Sequence, residues 1–418
     1  MSTAADPAVA AAVADAHRRE WAFVLAAAVR VTRDLDLAEE CVQDAYARAL
    51  ATWGSRGVPT NPGAWLTTVA RRRALDLLRQ DATLRRSLPL LLDDDQVDPD
   101  PADALDADVI ADDRLRLIFT CCHPAIAAQT QVALTLRLLC GLTTAEVARA
   151  FLVSEPTMAA RITRGKKKIA TARIPYRVPP ADQLPARIDA VLTVVHLLFT
   201  TGHTAPAGAD LVRRDLVERA LDLARMLRAL LPHDADVAGL LALILLTDAR
   251  RATRVGADGR MRLLADQDRA KWDRRAISEG IALVREALRR RPPGRFALMA
   301  AIAAVHADAP TWQDTDWREL VALYDLLVQL WPSPVVALNR AVAVGFADGP
   351  RAGLVALDAL ADEPQLAGYG YLASARADFL RRLGRVEQAR ACYEEALLLT
   401  ENTVERDFLA ARLEQLRG

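Results

Sequence analysis

An all-α fold is the class this sequence predicts, and three features carry the prediction. Alanine, leucine and arginine dominate the 418 residues, aromatics make up only 5% of them, and runs of β-branched residues are nearly absent. Helix propensity is therefore high almost throughout. A chain of this length is expected to divide into two to four domains rather than fold around one core.

Lys+Arg and Asp+Glu both number 54, so total charge argues neither for nor against nucleic acid, and local segregation must decide. Residues 1–21 lack the basic start and apolar core of a secretion signal. No apolar run approaches the roughly 18 residues that a membrane span needs. A cytoplasmic protein with no membrane contact is expected. Cys41, Cys121, Cys122, Cys140 and Cys392 are odd in number and scattered, which suits reduced thiols.

From residue 9 to about 53 the apolar residues recur at helical spacing, first Trp21, Val24, Leu25, Ala28 and Val29, then Leu37, Cys41, Val42, Ala45, Tyr46 and Leu50. Two amphipathic helices follow from that pattern. Residues 54–63 are dense in turn formers, and Asn61-Pro62 supplies an N-cap followed by proline at the first helical position, opening a third helix over 64–80. Residues 88–108 are acidic, hold three prolines and lose the apolar period, as a linker does. Helices resume near 112 and run to about 173, where a segment with four prolines, 174–185, marks a second boundary. Beyond it, helical segments separated by Pro/Gly/Asp breaks read as stacked helix pairs.

The stretch GLTTAEVARAFLVSEPTMAARITRGKKKI, residues 141–169, joins two short helices through a tight turn, the pattern of a helix-turn-helix. Val147, Ala148 and Phe151 give the first helix a packing face; Ser154 caps the second, and Pro156 suits its first turn. Met158, Ile162 and Ile169 should face inward, leaving Thr157, Arg161, Arg164, Lys166, Lys167 and Lys168 outside. Such a basic face neutralises phosphates, while Ser154, Glu155, Thr157, Ala160 and Arg161 near the helix start can reach base edges.

Catalytic and metal chemistry find little support. Cys121-Cys122-His123 with Cys140 lacks the two-residue spacing of a zinc knuckle. Phosphate-binding loops, nucleophile elbows and His-Glu-x-x-His are missing from the sequence. No enzyme, metal or cofactor is expected. His196 and His203, with Thr200, Thr201 and Gly202 between them, read as a helix end and turn in preference to a ligand contact.

The helix-turn-helix stretch, with its Gly-Leu-Thr start, Ala-Glu-Val-Ala, Ser-Glu-x-Thr and Arg-x-x-Arg-x-Lys-Lys, resembles the C-terminal DNA-binding domain of sigma factors of the extracytoplasmic-function (ECF) type. Leu152 stands in the turn where that family often has glycine. Residues 34–53, DLDLAEECVQDAYARALATW, resemble the ECF helix that grips core RNA polymerase. The resemblance implies docking on the clamp coiled coil of β′ through an acidic face of Glu39, Glu40 and Asp44, with Gln43 and Arg48 alongside. Residues 61–80 resemble the helix that melts and reads the minus-ten element. Trp65, Leu66, Val69, Leu75 and Leu78 form its expected inner stripe, and Asn61, Trp65, Arg71, Arg72, Arg73, Asp76 and Arg79 its implied contacts to the separated strand. Arg72 departs from the asparagine that family members often carry.

The implied layout is a sigma region 2 domain at 1–85, an acidic linker at 86–111, a region 4 domain at 112–175 that reads the minus-thirty-five element and meets the polymerase β flap, and a helical-repeat extension at 186–418. The linker's Asp93-Asp94-Asp95 run would mimic nucleic-acid charge. In the extension, GRVEQARACYEEALLL looks like the second helix of a tetratricopeptide repeat, with Gly384 at a turn and Ala389, Tyr393 and Ala396 on one face. About 34 residues upstream, the length of that repeat, lies the Gly349-Pro350 turn. Stacked helix pairs present a concave surface for a protein or peptide partner. The alternative is a helix-turn-helix activator with a tetratricopeptide-like sensor that binds duplex promoter DNA and recruits polymerase without replacing sigma.

Overall fold

A computed structural model describes residues 7–87, 107–151, 153–180, 182–205 and 207–416. The expected linker from 88 to 106, including its aspartate run, and the turn residue Leu152 lie outside the described residues. The all-α expectation holds: among the described residues there are eighteen α-helices and one pair of two-residue strands. The chain divides into two compact units, residues 1–194 and 195–418.

In the first unit α1 (Pro7–Thr32), α2 (Leu35–Arg56) and α3 (Pro62–Ser87) pack against one another in all three pairings. Asp34 starts α2, its Oδ1 accepting from the Asp36 and Leu37 amides at 2.8 and 2.9 Å, which satisfies two of the donors a helix start leaves open. Asn61 does the same for α3, accepting from the Ala64 amide at 3.0 Å. Buried in these helices are Val24 and Leu25 of α1 and small residues, Ala38, Ala45 and Ala49 of α2 and Ala70 and Ala74 of α3. The expected inner stripe of α3 is therefore corrected. Leu66, Thr67, Ala70 and Ala74 are buried, while Trp65, Val69, Leu75 and Leu78 are only half-buried along the flanks. Alanines at the centre let the backbones approach, and the larger side chains are displaced to the edges of the contact.

Next come α4 (Ala107–Cys121), α5 (Ala128–Leu134) with a π-helical turn at Thr135–Leu139, α6 (Thr144–Ala150) and α7 (Glu155–Thr171). Helix thus covers 107–111, which the sequence assigns to the linker. A reciprocal cap opens α6: the Thr143 amide donates to Glu146 Oε2 at 2.7 Å, and the Glu146 amide to Thr143 Oγ1 at 3.2 Å. Ser154 caps α7, accepting from the Thr157 amide. The buried face of α7 is Met158, Ile162, Gly165 and Ile169. A Cβ at Gly165 would come within 2.7 Å of Thr130 and 3.1 Å of Leu134, so glycine is what lets α7 lie on α5.

The 20-residue helix α8 (Leu184–His203) contains the division between the two units. By length and composition it is apolar enough to cross a membrane, which corrects the expectation that no such run exists. Its apolar residues Ile188, Val191, Leu192, Val195, Leu198 and Phe199 are buried within the protein.

The second unit continues as helices α9 to α18, ending with α16 (Gly370–Arg382), α17 (Val386–Leu399) and α18 (Thr403–Gln415). Each helix packs on its sequence neighbour. Gly349 (φ 99°) and Gly384 (φ 73°) turn the chain between α14 (Pro334–Ala347) and α15 (Pro350–Asp358), and between α16 and α17. Ala389, Tyr393 and Ala396 are the buried face of α17. Asn402 ties the last helix to the start of the unit. Fully buried, it donates from Nδ2 to the carbonyls of Ala205 and Asp210 at 3.0 and 2.9 Å, while its Oδ1 accepts from the Val404 and Glu405 amides at 3.0 and 3.3 Å. Every hydrogen-bonding element of the carboxamide is occupied.

Replacing Asn402 with alanine takes the donor from the buried Ala205 carbonyl and the part-buried Asp210 carbonyl and leaves α18 without its cap. The loss should be about 2–4 kcal/mol, read as a lower urea midpoint; an unchanged midpoint would show that the two ends of the unit are not held here.

Three histidines of this unit are held neutral. Burial, then the neighbouring Arg295, pushes His196 down to about 4; burial, then Arg250 and Arg269, does the same to His306. His203 lies well below its usual range through burial and the arginines 254, 250 and 251. Unfolding frees these rings to take up protons below about 6.5, so the stability they contribute is complete above that pH and is lost as it falls towards 4. The thermal midpoint should already drop between pH 6.5 and 5, above the range in which ordinary carboxylates titrate. A flat midpoint across that interval would contradict neutral, buried rings.

Candidate polymerase and promoter interface

The residues singled out by the sequence lie on α2, α3 and α7, all in the first unit, and the structure divides them into free and engaged groups. On α2, Glu40, Gln43 and Arg48 are exposed and Asp44 is half-buried. Glu39 is not part of that face. Its side chain is 6% exposed and turned inward, where Lys166 of α7 meets Oε2 and Arg137 of the π-helical turn lies 2.8 Å from Oε1. The helical period explains the correction: Glu39 falls in register with Leu35 and Val42, both buried, one position round from Glu40.

Lys166 is corrected in the same way. Among the cations expected on the outer face of α7, Arg164, Lys167 and Lys168 are exposed and form no ion pair among the described residues. Lys166 has a side chain only 13% exposed, bonded to Asp36 Oδ1 at 2.5 Å and to Glu39. Burial alone would lower its pKa, but the two carboxylates outweigh burial and hold the ammonium above its usual range. Arg137 approaches Glu39 Oε1 off the hydrogen-bonding axis, so this buried oxygen has a charge contact but no aligned donor.

The helix-turn-helix carries its other expected readers on the first turns of α7. Ser154, Glu155, Thr157 and Ala160 are exposed, and the Ser154 and Thr157 hydroxyls lie 2.8 Å apart, so both take part in the cap. Arg161 is half-buried with its guanidinium over Phe151, 5.4 Å from the ring centre. On α3, Arg72 is exposed and Arg71 half-buried, and neither forms an ion pair among the described residues; Arg79 is exposed, 3.8 Å from Asp76. Arg73 is engaged, with Nε 2.8 Å from Asp44 and Nη2 3.9 Å from Glu40. It joins α3 to the acidic face of α2. Trp65 stands edge-on to Trp53 with ring centres 5.6 Å apart, which makes its packing role plain.

Sequence reasoning missed what joins α1 and α2 to the helix-turn-helix. Trp21 Nε1 donates to the Leu138 carbonyl at 3.0 Å. Gly141, in left-handed backbone at φ 69°, backs onto Trp21 and His17 so closely that a Cβ would sit 2.8 Å from the indole. The Tyr176 hydroxyl lies 3.0 Å from both the Ala26 and the Asp113 carbonyls, one proton shared between two acceptors. Arg30 stands 3.4 Å from the buried Asp113. The available signal was a glycine opening a helix-turn-helix and a tryptophan in an otherwise alanine-rich helix, but nothing local pairs them.

Cys121 and Cys122 lie fully inside the same unit, and burial pushes both thiols up, Cys122 to about 11. They pack as apolar groups beside Thr135, which lies 3.6 Å from Cys122 Sγ. His123 Nδ1 accepts from the Ala125 amide. Among the described residues no three His, Cys, Asp or Glu side chains are grouped as metal ligands.

Two helical domains in succession, the second carrying a helix-turn-helix, are the layout of a sigma-type transcription factor. Residues 17–83 match the Sigma-70 region 2 family and residues 116–169 the Sigma-70 region 4 family. Residues 187–288, in the extension, match a family of unknown function (DUF6596). The chain is 34% identical over 142 residues to the ECF RNA polymerase sigma factor SigK of Mycolicibacterium vanbaalenii, an alignment covering 32% of this chain and 68% of that protein. It is also 42% identical over 395 residues to an uncharacterized protein of Rhizobium meliloti, covering 94% of this chain and 93% of the other. The chain belongs to the ECF RNA polymerase sigma factors and carries a long C-terminal extension.

Exchanging Glu39 for glutamine keeps its shape and removes the charge that Lys166 and Arg137 share. Arg137 would then be enclosed without a counter-ion and Lys166 would keep only Asp36, which should cost the first unit about 3 kcal/mol, against under about 1 kcal/mol for Glu40→Gln at the surface. Equal urea midpoints for the two variants would show that Glu39 is not enclosed.

Proposed function

We propose that the three helices act on different parts of the initiation complex. Glu40, Gln43, Asp44 and Arg48 of α2 would meet the clamp coiled coil of β′. Arg71, Arg72, Asp76 and Arg79 of α3, with the 57–61 loop between α2 and α3, would hold the separated minus-ten strand, the cations on its backbone and an unstacked base in the loop. Residues Glu155, Thr157, Ala160 and Arg161 of α7 would face base edges of the minus-thirty-five major groove while Arg164, Lys167 and Lys168 sit on phosphates, with this domain placed against the β flap. The observation that carries the reading is the exposed, unpaired basic edge of α7, set opposite an apolar face seated on α5. The protein would act in the cytoplasm, where core polymerase is, and by binding rather than catalysis.

The extension would serve as a protein-binding surface. A groove of about 600 Å³ between α15, α16 and α17 is lined by Leu354, Leu380 and Leu383, by Arg351 and Arg385, and by Arg376 in an ion pair with Asp358. Val355 at its lip is 71% exposed. A short partner segment with apolar and acidic side chains fits that lining.

Reconstitution with sigma-free core polymerase and run-off transcription tests the proposal. The chain should form a stable complex and give promoter-specific transcripts, and Glu40→Lys should weaken the complex at least about tenfold, about 1.4 kcal/mol. Lys167→Ala and Lys168→Ala should each lower the salt dependence of promoter binding by about one counter-ion without changing sequence preference. Normal assembly with Glu40→Lys would take α2 out of the polymerase contact.

A further inference from the structure

Between α10 (Ala235–Asp248) and α11 (Arg274–Ala287) the chain passes through short 3-10 turns and carries Arg250, Arg254 and Arg269. Arg254 and Arg269 are buried and Arg250 is half-buried. The first two are held by neutral acceptors. Arg254 donates to the His203 carbonyl and, at 2.9 Å, to Thr204 Oγ1, and Arg269 Nη1 donates to the His306 and Ala309 carbonyls, each at 2.6 Å. The carboxylates that act on them, Glu405 and Asp248 on Arg254 and Asp314 on Arg269, are engaged elsewhere, with the Tyr371 hydroxyl, Arg251 and Thr311 respectively. Among the described residues none of the three arginines forms an ion pair.

The surplus of positive charge acts on the histidines around it. Arg250 and Arg269 add to burial in holding His306 neutral, and Arg254 and Arg250 do the same for His203, so these groups share one region of the second unit. There, Arg269 Nη2 and His306 Nδ1 are closed off from solvent without a hydrogen-bond partner. Arg250 makes no hydrogen bond, ion pair or ring contact with any described residue, yet it is enclosed enough for burial, then Arg254, to bring its pKa down to about 10. An enclosed guanidinium acted on by another cation and met by no carboxylate calls for an anion.

We propose that Arg250 anchors an anion-binding site in the extension, one that takes a small ligand bearing a phosphate or carboxylate group. The guanidinium presents a planar fork of donors that matches either oxyanion through two parallel bonds. Half-buried Arg250 is reached from solvent, whereas Arg254 and Arg269 contribute through their charge, each fixed by the carbonyls it bonds. None of these residues lines the groove between α15, α16 and α17, so the site is separate from the protein-binding surface assigned above.

Calorimetric titration of the full chain in chloride buffer, with inorganic phosphate and separately with succinate, reads the site. At least one should bind saturably, once per chain, and the tighter of the two identifies the group recognised. Arg250→Met, which keeps an apolar stem and removes the charge, should weaken that ligand at least about tenfold. Arg260→Met, at an exposed position of the same segment, should bind as the parent chain does. Absence of saturable binding by both anions overturns the proposal, and so does equal affinity in Arg250→Met and Arg260→Met. Should Arg250→Met fail to fold, Arg250→Lys keeps the charge and loses the fork, and its affinity should fall at least about threefold; undiminished affinity there overturns the assignment of Arg250.

Discussion

Enclosing the Glu39 carboxylate is the constraint on which the first unit depends. A carboxylate taken out of water is tolerated only where cations come with it, and here both cations belong to the region 4 side of the unit. Lys166 sits on α7 and Arg137 in the π-helical turn before α6. Meeting that demand sets where α7 lies against α2. Trp21 fixes the adjoining edge through the Leu138 carbonyl, and Gly141 makes room for the indole. Charge and close backbone approach act there alongside the apolar packing of α1 on α4.

Much of this was legible in the sequence. Asn61 and Ser154 start their helices as capping residues should, and the apolar period along α1 and α7 names the buried residues there. The α3 stripe was read wrongly because large side chains draw attention while Ala70 and Ala74 do the close packing. Glu39 and Lys166 were misplaced for a different reason. Their partners are 127 residues apart, and no local period distinguishes an acid facing polymerase from one facing a distant lysine. Neighbouring Glu40 and Lys167, with the same chemistry and a different angle on the helix, are exposed as expected.

In the extension, small residues again decide how helices meet. A Cβ on Gly345 or Gly353 would strike the Phe379 ring at 2.0 or 2.5 Å, so α14 and α15 cross with the phenyl ring of α16 filling the space that two missing side chains leave. The Trp312, Trp317 and Phe346 rings extend that contact, with neighbouring centres 4.5–5.3 Å apart. Helix pairs related by glycine turns are plain in the sequence; this plug is not, because it joins three helices and depends on what two of them lack.

The hold of Asn402 on Ala205 and Asp210 bears on how such an extension can evolve. An open-ended stack of helix pairs lengthens by duplication, each added pair meeting only its neighbour. Here the last helix is hooked back to a loop almost two hundred residues earlier, so one more pair before it would carry the hook out of reach. The number of helices between loop and hook is thereby counted by the protein itself, and natural variation in this part of the chain should accumulate as substitutions and loop changes in preference to gained or lost pairs.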